Sequence, residues 1–152
     1  MNQVEELIRE YLPTVKVMQL ATSNGDQPWA CTIHFYSDDK LNIYWISTLG
    51  RRHSKDIDNN PKVAATVMVH ENNAEEDYVI GISVEGTAEL LAENVDEATV
   101  QGYTKKLDMK PEFMDDVRNG RDEHKFYKLT PKSVVLFDNK DFPGDPRKVL
   151  EL

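Results

Sequence analysis

The stretch I-Y-W-I-S-T-L-G-R-R-H-S-K-D-I-D-N-N-P, residues 43–61, decides how this chain is read. Its first part, Ile43 to Ser47, is apolar and β-prone, and it runs out at Ser47, Thr48 and Gly50. Arg51, Arg52, His53 and Lys55 follow at once, in a protein that is otherwise acidic. Residues 51–60 read as a short helix, ended by Asn59-Asn60 ahead of Pro61. Cations at a helix N-terminus face its partial positive charge, at a cost of about 0.3–1 kcal/mol each near the surface. An anion among them reverses that sign. A phosphate there accepts forked arginine bonds, helix N–H bonds and a lysine point charge. The same residues also fit a solvated basic face paired with Asp56 and Asp58, and spacing alone does not choose between the two.

Upstream of this segment, Val4, Leu7, Ile8, Tyr11 and Leu12 recur at helical spacing, so residues 3–12 read as an amphipathic helix that Pro13 stops. Val15 to Thr22 and Trp29 to Tyr36 read as strands about an Asn24-Gly25-Asp26 turn. Ser37 to Lys40 turn again into a third strand, Leu41 to Ser47. Downstream, Val63 to Val69 is a β-branched strand, and residues 71–77 form an acidic loop. Tyr78 to Leu91 is a long strand whose Gly81 and Gly86 suggest bulges or bends. Asn94 to Glu97 read as an N-cap for a helix running to Leu107, and Pro111 to Gly120 as another short helix. Lys125 to Thr130 and Ser133 to Phe137 read as two last strands, before a Pro/Gly-rich tail and Val149-Leu150. The sum is mainly β: a six- to seven-stranded antiparallel barrel with short helices, in one domain spanning 1–152.

A net charge of −9 argues against nucleic acid and anionic membrane as main partners. The single cysteine, Cys31, excludes an internal disulfide, and no Cys/His spacing reads as a metal site. With no secretory pattern at the N-terminus and no membrane-length apolar run, a reduced, cytoplasmic setting is expected. Cys31 reads as a buried thiol; His34, His70 and His124 read as surface or packed side chains; Asp138-Asn139 reads as a turn.

Three segments in order carry a resemblance. They are L-A-T-S-N-G-D-Q-P-W (20–29), Y-W-I-S-T-L-G-R-R-H-S-K-D-I-D-N-N-P-K-V-A (44–64) and I-G-I-S-V-E-G-T-A-E-L (80–90). Together they resemble the pyridoxamine 5′-phosphate oxidase-like FMN-binding split barrels, and the tail L-F-D-N-K-D-F (136–142) is similar to a small bacterial branch of that family. The resemblance implies a homodimer with two FMN sites shared across the subunit interface, acting on a small molecule. Arg52 and His53 match the family's Arg-Lys phosphate pair, with His in place of Lys. Arg51 falls where a Ser is common and Lys55 where other branches keep a phosphate lysine. Ser47 and Thr48 match residues bordering the flavin ring, Thr32 would line the other side, and Trp29 is an aromatic wall or a core or interface side chain. The C-terminus offers only Arg147 and Lys148 and no tryptophan, so pyridoxamine phosphate oxidation itself is not expected. The implied activity is FMN-dependent redox chemistry. The alternatives are a non-catalytic flavin carrier or sensor, and binding of coenzyme F420.

Overall fold

The computed structural model describes the whole chain, Met1–Leu152. Helix α1, Gln3–Tyr11, is capped by the Asn2 side chain, which accepts from the Glu5 N–H at 2.8 Å. A 3-10 turn carrying Pro13, Leu12–Thr14, leads into strand β1, Val17–Asn24. Strand β2, Gln27–His34, pairs with β1 along its whole length, from Val17↔His34 to Asn24↔Gln27. The two-residue turn between them needs a left-handed residue, which Gly25 supplies at φ +62°.

Then follow β3 (Tyr36–Ser37), β4 (Ile43–Ser47), α2 (Arg52–Asn59), β5 (Lys62–His70) and β6 (Ile80–Ala92). Helices α3 (Glu97–Leu107) and α4 (Pro111–Arg118) come next, followed by β7 (Lys125–Asp138) and β8 (Arg147–Glu151). Every pairing is antiparallel, in the order β2-β1-β5-β6-β7-β4-β3, with β8 on β7. The two edge strands β2 and β3 are separated in sequence only by the fully buried Phe35. The chain itself therefore closes the curled sheet where no ladder does, and the expected mainly β, antiparallel split barrel is present.

Several boundaries differ from the sequence reading. Asp96, not Asn94, caps α3, accepting from the Thr99 N–H at 2.8 Å. The two last expected strands are one, because Pro131 does not break β7. Pro131 stands opposite Gly86, where the β6–β7 register shifts, so its missing N–H falls at a bulge. The tail adds β8, which pairs Val149 with Val135 and Leu150 with Val134. The sheet thus has eight strands, one more than the upper expectation.

Inside the barrel, Met18, Leu20, Val63, Ala65, Ile82, Val84, Val134 and Leu136 form the core with Trp45 and Tyr127. The two aromatic rings are stacked with centroids 5.8 Å apart. Strand alternation sends Phe126 to the other face of β7, where it meets Tyr103 edge-on at 5.5 Å. Val100, Met114 and Val117 complete this smaller core under α3 and α4.

The outer face of β1, β5, β6 and β7 is also apolar. Val17, Met68, Gly81, Val135 and Phe137 line an open groove of about 430 Å³, with Met68 and Phe137 53% and 40% exposed. No helix is long and apolar enough to cross a membrane.

Candidate functional site

The basic segment sits where β4 ends and α2 begins. Arg51 is the N-cap of α2, in an extended conformation, and its side chain makes no capping bond. No backbone carbonyl accepts from the N–H groups of Arg52, His53 or Ser54, while the Lys55 N–H reaches the Arg51 carbonyl at 3.0 Å. The helix therefore presents free donors and its partial positive charge at the place where Arg51, Arg52 and Lys55 are exposed. Its start is tied to the strand end: Ser54 donates to the Thr48 carbonyl at 2.8 Å, and the Arg51 N–H to the same carbonyl at 3.3 Å.

His53 faces the other way. It is 8% exposed, with Nε2 2.8 Å from Ser47 Oγ and Nδ1 3.5 Å from Cys31 Sγ. Burial, and then the nearby Arg51 charge, push its pKa below the ordinary histidine value, against a smaller opposing pull from Asp56. The imidazole is thus a neutral link between β2 and β4 at neutral pH. Helix periodicity explains the split. Residues 53, 54, 56 and 57 turn inward, and 51, 52, 55 and 58 face solvent.

The inward face also carries Asp56, which is 1% exposed. Its carboxylate accepts from Thr22 Oγ1 at 2.7 Å and from Arg52 Nε at 3.3 Å. The Arg52 guanidinium lies over the Trp29 ring, 4.7 Å from its centroid. A buried carboxylate is tolerable only when paired and bonded in this way.

Of the residues expected at the site, Ser47, Thr48, Arg51, Arg52, His53 and Lys55 come together at one strand-to-helix junction. Thr32 does not join them within one chain. Strand alternation puts it on the outer face of β2, where it donates to Gln19 Oε1 at 2.7 Å beside the apolar groove. Cys31, the next residue back, points inward to His53, and burial raises its thiol pKa. The sequence reading gives Asp56 only the part of a surface ion-pair partner and gives Thr22 none. The i, i+4 spacing of Arg52 and Asp56 was the available signal, but neither the burial of Asp56 nor the nearness of β1 is written in that spacing.

The arrangement suits an anion with a phosphate-like terminus: exposed cations, free helix N–H donors, and strand-end hydroxyl and backbone groups alongside.

Comparison with known structures agrees with the fold. A conserved hypothetical protein of Mycobacterium tuberculosis is 17% identical, with a TM-score of 0.73, covering 94% of this chain and 88% of its own. General Stress Protein 26 of Bacillus anthracis is 20% identical, with a TM-score of 0.67, covering 99% and 100%. A heme binding protein of Mycobacterium smegmatis is 12% identical, with a TM-score of 0.73, covering 99% of this chain and 59% of its own. No curated protein sequence matches the chain at a significant level. Residues 4–137 match the family described as pyridoxamine 5′-phosphate oxidase, which takes in the strand-to-helix junction and all of the barrel strands but β8 and the last residue of β7. The chain belongs to the pyridoxamine 5′-phosphate oxidase-like split-barrel family.

Proposed function

We propose that this protein is an FMN-binding flavoprotein, an oxidoreductase acting on a small molecule, and that α2 holds the phosphate. One observation carries the reading. The N-terminus of α2 is uncapped, its first N–H groups have no backbone acceptor, and Arg51, Arg52 and Lys55 stand exposed around it. A dianionic phosphate satisfies all of them at once. Arg52 and Arg51 would fork onto phosphate oxygens, and Lys55 would add a point charge. His53 would contribute its backbone N–H and no side-chain charge, because its neutral ring is engaged by Ser47 and Cys31. Ser47 and Thr48 would border the ring. Bound FMN supplies the hydride chemistry, and the protein supplies binding and orientation.

The apolar outer groove supports a homodimer, with a second copy covering Val17, Met68, Val135 and Phe137. Thr32, on that same face, would then approach the partner's site rather than its own. The reading places the chain as one domain in a reducing cytoplasm, where Cys31 stays a thiol.

The test is direct. The purified protein should bind FMN in preference to riboflavin, and Arg52→Ala should weaken FMN while leaving riboflavin unaffected. Equal binding of the two flavins by the wild type would refute the phosphate assignment. Anaerobic NADH or NADPH then separates enzyme from carrier: bleaching of bound flavin marks an oxidoreductase, and a flavin inert to both marks a carrier.

A further inference from the structure

Arg52 differs from the other exposed cations of the junction in being held from two sides. Its Nε is 3.3 Å from Asp56 Oδ1, and its guanidinium plane lies over Trp29, 4.7 Å from the ring centroid. Asp56 lies one helical turn along α2, which brings the two side chains within reach where the inward and solvent faces of the helix meet. Its carboxylate is buried, and its other oxygen is fixed by Thr22 Oγ1 at 2.7 Å. Asp56 therefore cannot follow a wandering arginine into solvent. Trp29 on β2 is in register with Thr22 on β1. One chain of contacts thus runs Thr22, Asp56, Arg52, Trp29, joining β1, β2 and α2. Only Nε of Arg52 is engaged, and both Nη groups keep their N–H donors for an incoming ligand.

We propose that Asp56, Trp29 and Thr22 are positioning residues that set the Arg52 guanidinium in place before the anion arrives. The inference rests on the phosphate reading of the α2 N-terminus. A long arginine that is free in the unbound protein loses rotamer freedom when it binds, and an arginine already held does not. Asp56 is a negative charge next to an anion site, so by charge alone it opposes binding. Its presence there is intelligible if placing the guanidinium outweighs that repulsion.

This gives opposite signs for one substitution. Asp56→Asn keeps shape and the Thr22 bond but removes the charge. If charge governs, FMN binds more tightly. If positioning governs, FMN binds about 3- to 10-fold more weakly, with riboflavin unchanged. Trp29→Ala should weaken FMN by a similar factor, and Trp29→Phe, which keeps a ring beneath the guanidinium, should restore most of it. Trp29 is 43% exposed, so these two variants should fold even if Asp56→Asn does not.

The second readout needs no ligand. In the unloaded protein the Arg52 Nε–Hε NMR resonance should exchange slowly with solvent, and Asp56→Asn and Trp29→Ala should speed that exchange. Tighter FMN binding by Asp56→Asn, or fast exchange of Arg52 in the wild type, overturns the proposal. A wild type that does not prefer FMN over riboflavin refutes the phosphate reading alone. The holding of Arg52 is then decided by the resonance: dependence on Asp56 and Trp29 upholds it, and indifference overturns it.

Discussion

Replacing Gly86 by alanine should loosen the seam between β6 and β7. A Cβ built at Gly86 falls 2.9 Å from Pro131 Cα and from the Thr130 carbonyl carbon, and closer still to the Thr130 carbonyl oxygen. Ordinary Cβ contacts begin at 3.4 Å, so these carbons must retreat by 3.4 − 2.9 = 0.5 Å and the carbonyl oxygen by more. The obstacle is backbone on β7, which also pairs with β4 and β8, so the seam cannot open without disturbing two other ladders. Overpacking of this kind costs about 1–3 kcal/mol. Contact with backbone places Gly86→Ala toward the upper end, and the smaller unfolded-state entropy of alanine offsets about 0.4–1 kcal/mol. The expected net loss is about 2 kcal/mol. With a urea slope of about 1–3 kcal/mol per molar, the midpoint should fall by about 1 M at fixed protein concentration. Gly144→Ala is the control, since a Cβ there meets nothing within 4 Å. It should stay within about 0.5 kcal/mol of the wild type. A Gly86→Ala midpoint within about 0.2 M of the wild type would show that the β6–β7 seam yields freely, and would refute the argument.

The buried His53 predicts a pH dependence of stability. Its folded pKa is depressed, so the unfolded chain takes up the proton more readily. The stability tied to this group is whole above the unfolded value of about 6.5 and is lost as pH falls from there through the folded value. Urea midpoints at pH 7.5 and 5.5 should show that loss in the wild type, and His53→Gln should lessen the difference; an unchanged difference contradicts the neutral, buried assignment. The outer groove predicts a second outcome. Phe137→Asp puts a charge on the face proposed for the second copy, and sedimentation should show a dimer for the wild type and a monomer for the variant; equal masses for the two contradict that assignment.

Strand order along the sequence, the β1–β2 hairpin and the helix after β4 were all legible, because each rests on local rules: alternation, a glycine turn, a proline stop. Among the strands, the misread positions are those where a partner strand overruled a local signal; the shift of the α3 cap from Asn94 to Asp96 is local. Pro131 marks a strand end in isolation, yet opposite Gly86 it occupies a bulge that needs no donor. Val149-Leu150 is too short to stand as a strand alone, and becomes one against Val135 and Val134.

The site divides in the same way. Composition and order in residues 47–55 suffice to gather cations at a helix start, since the residues are neighbours in the chain. Which of those cations faces outward depends on the barrel. The core takes the inner side of α2, and with it His53, Asp56 and Ile57, leaving Arg51, Arg52 and Lys55 in solvent. Strand alternation then parts Thr32 from Cys31. Charge, turn and helix are written in the order of the residues, because each follows from chemistry between neighbours in the chain. That Asp56 is buried against Thr22 and that Trp29 lies under Arg52 comes from packing, because residues 22 and 29 reach residues 56 and 52 only once β1, β2 and α2 meet.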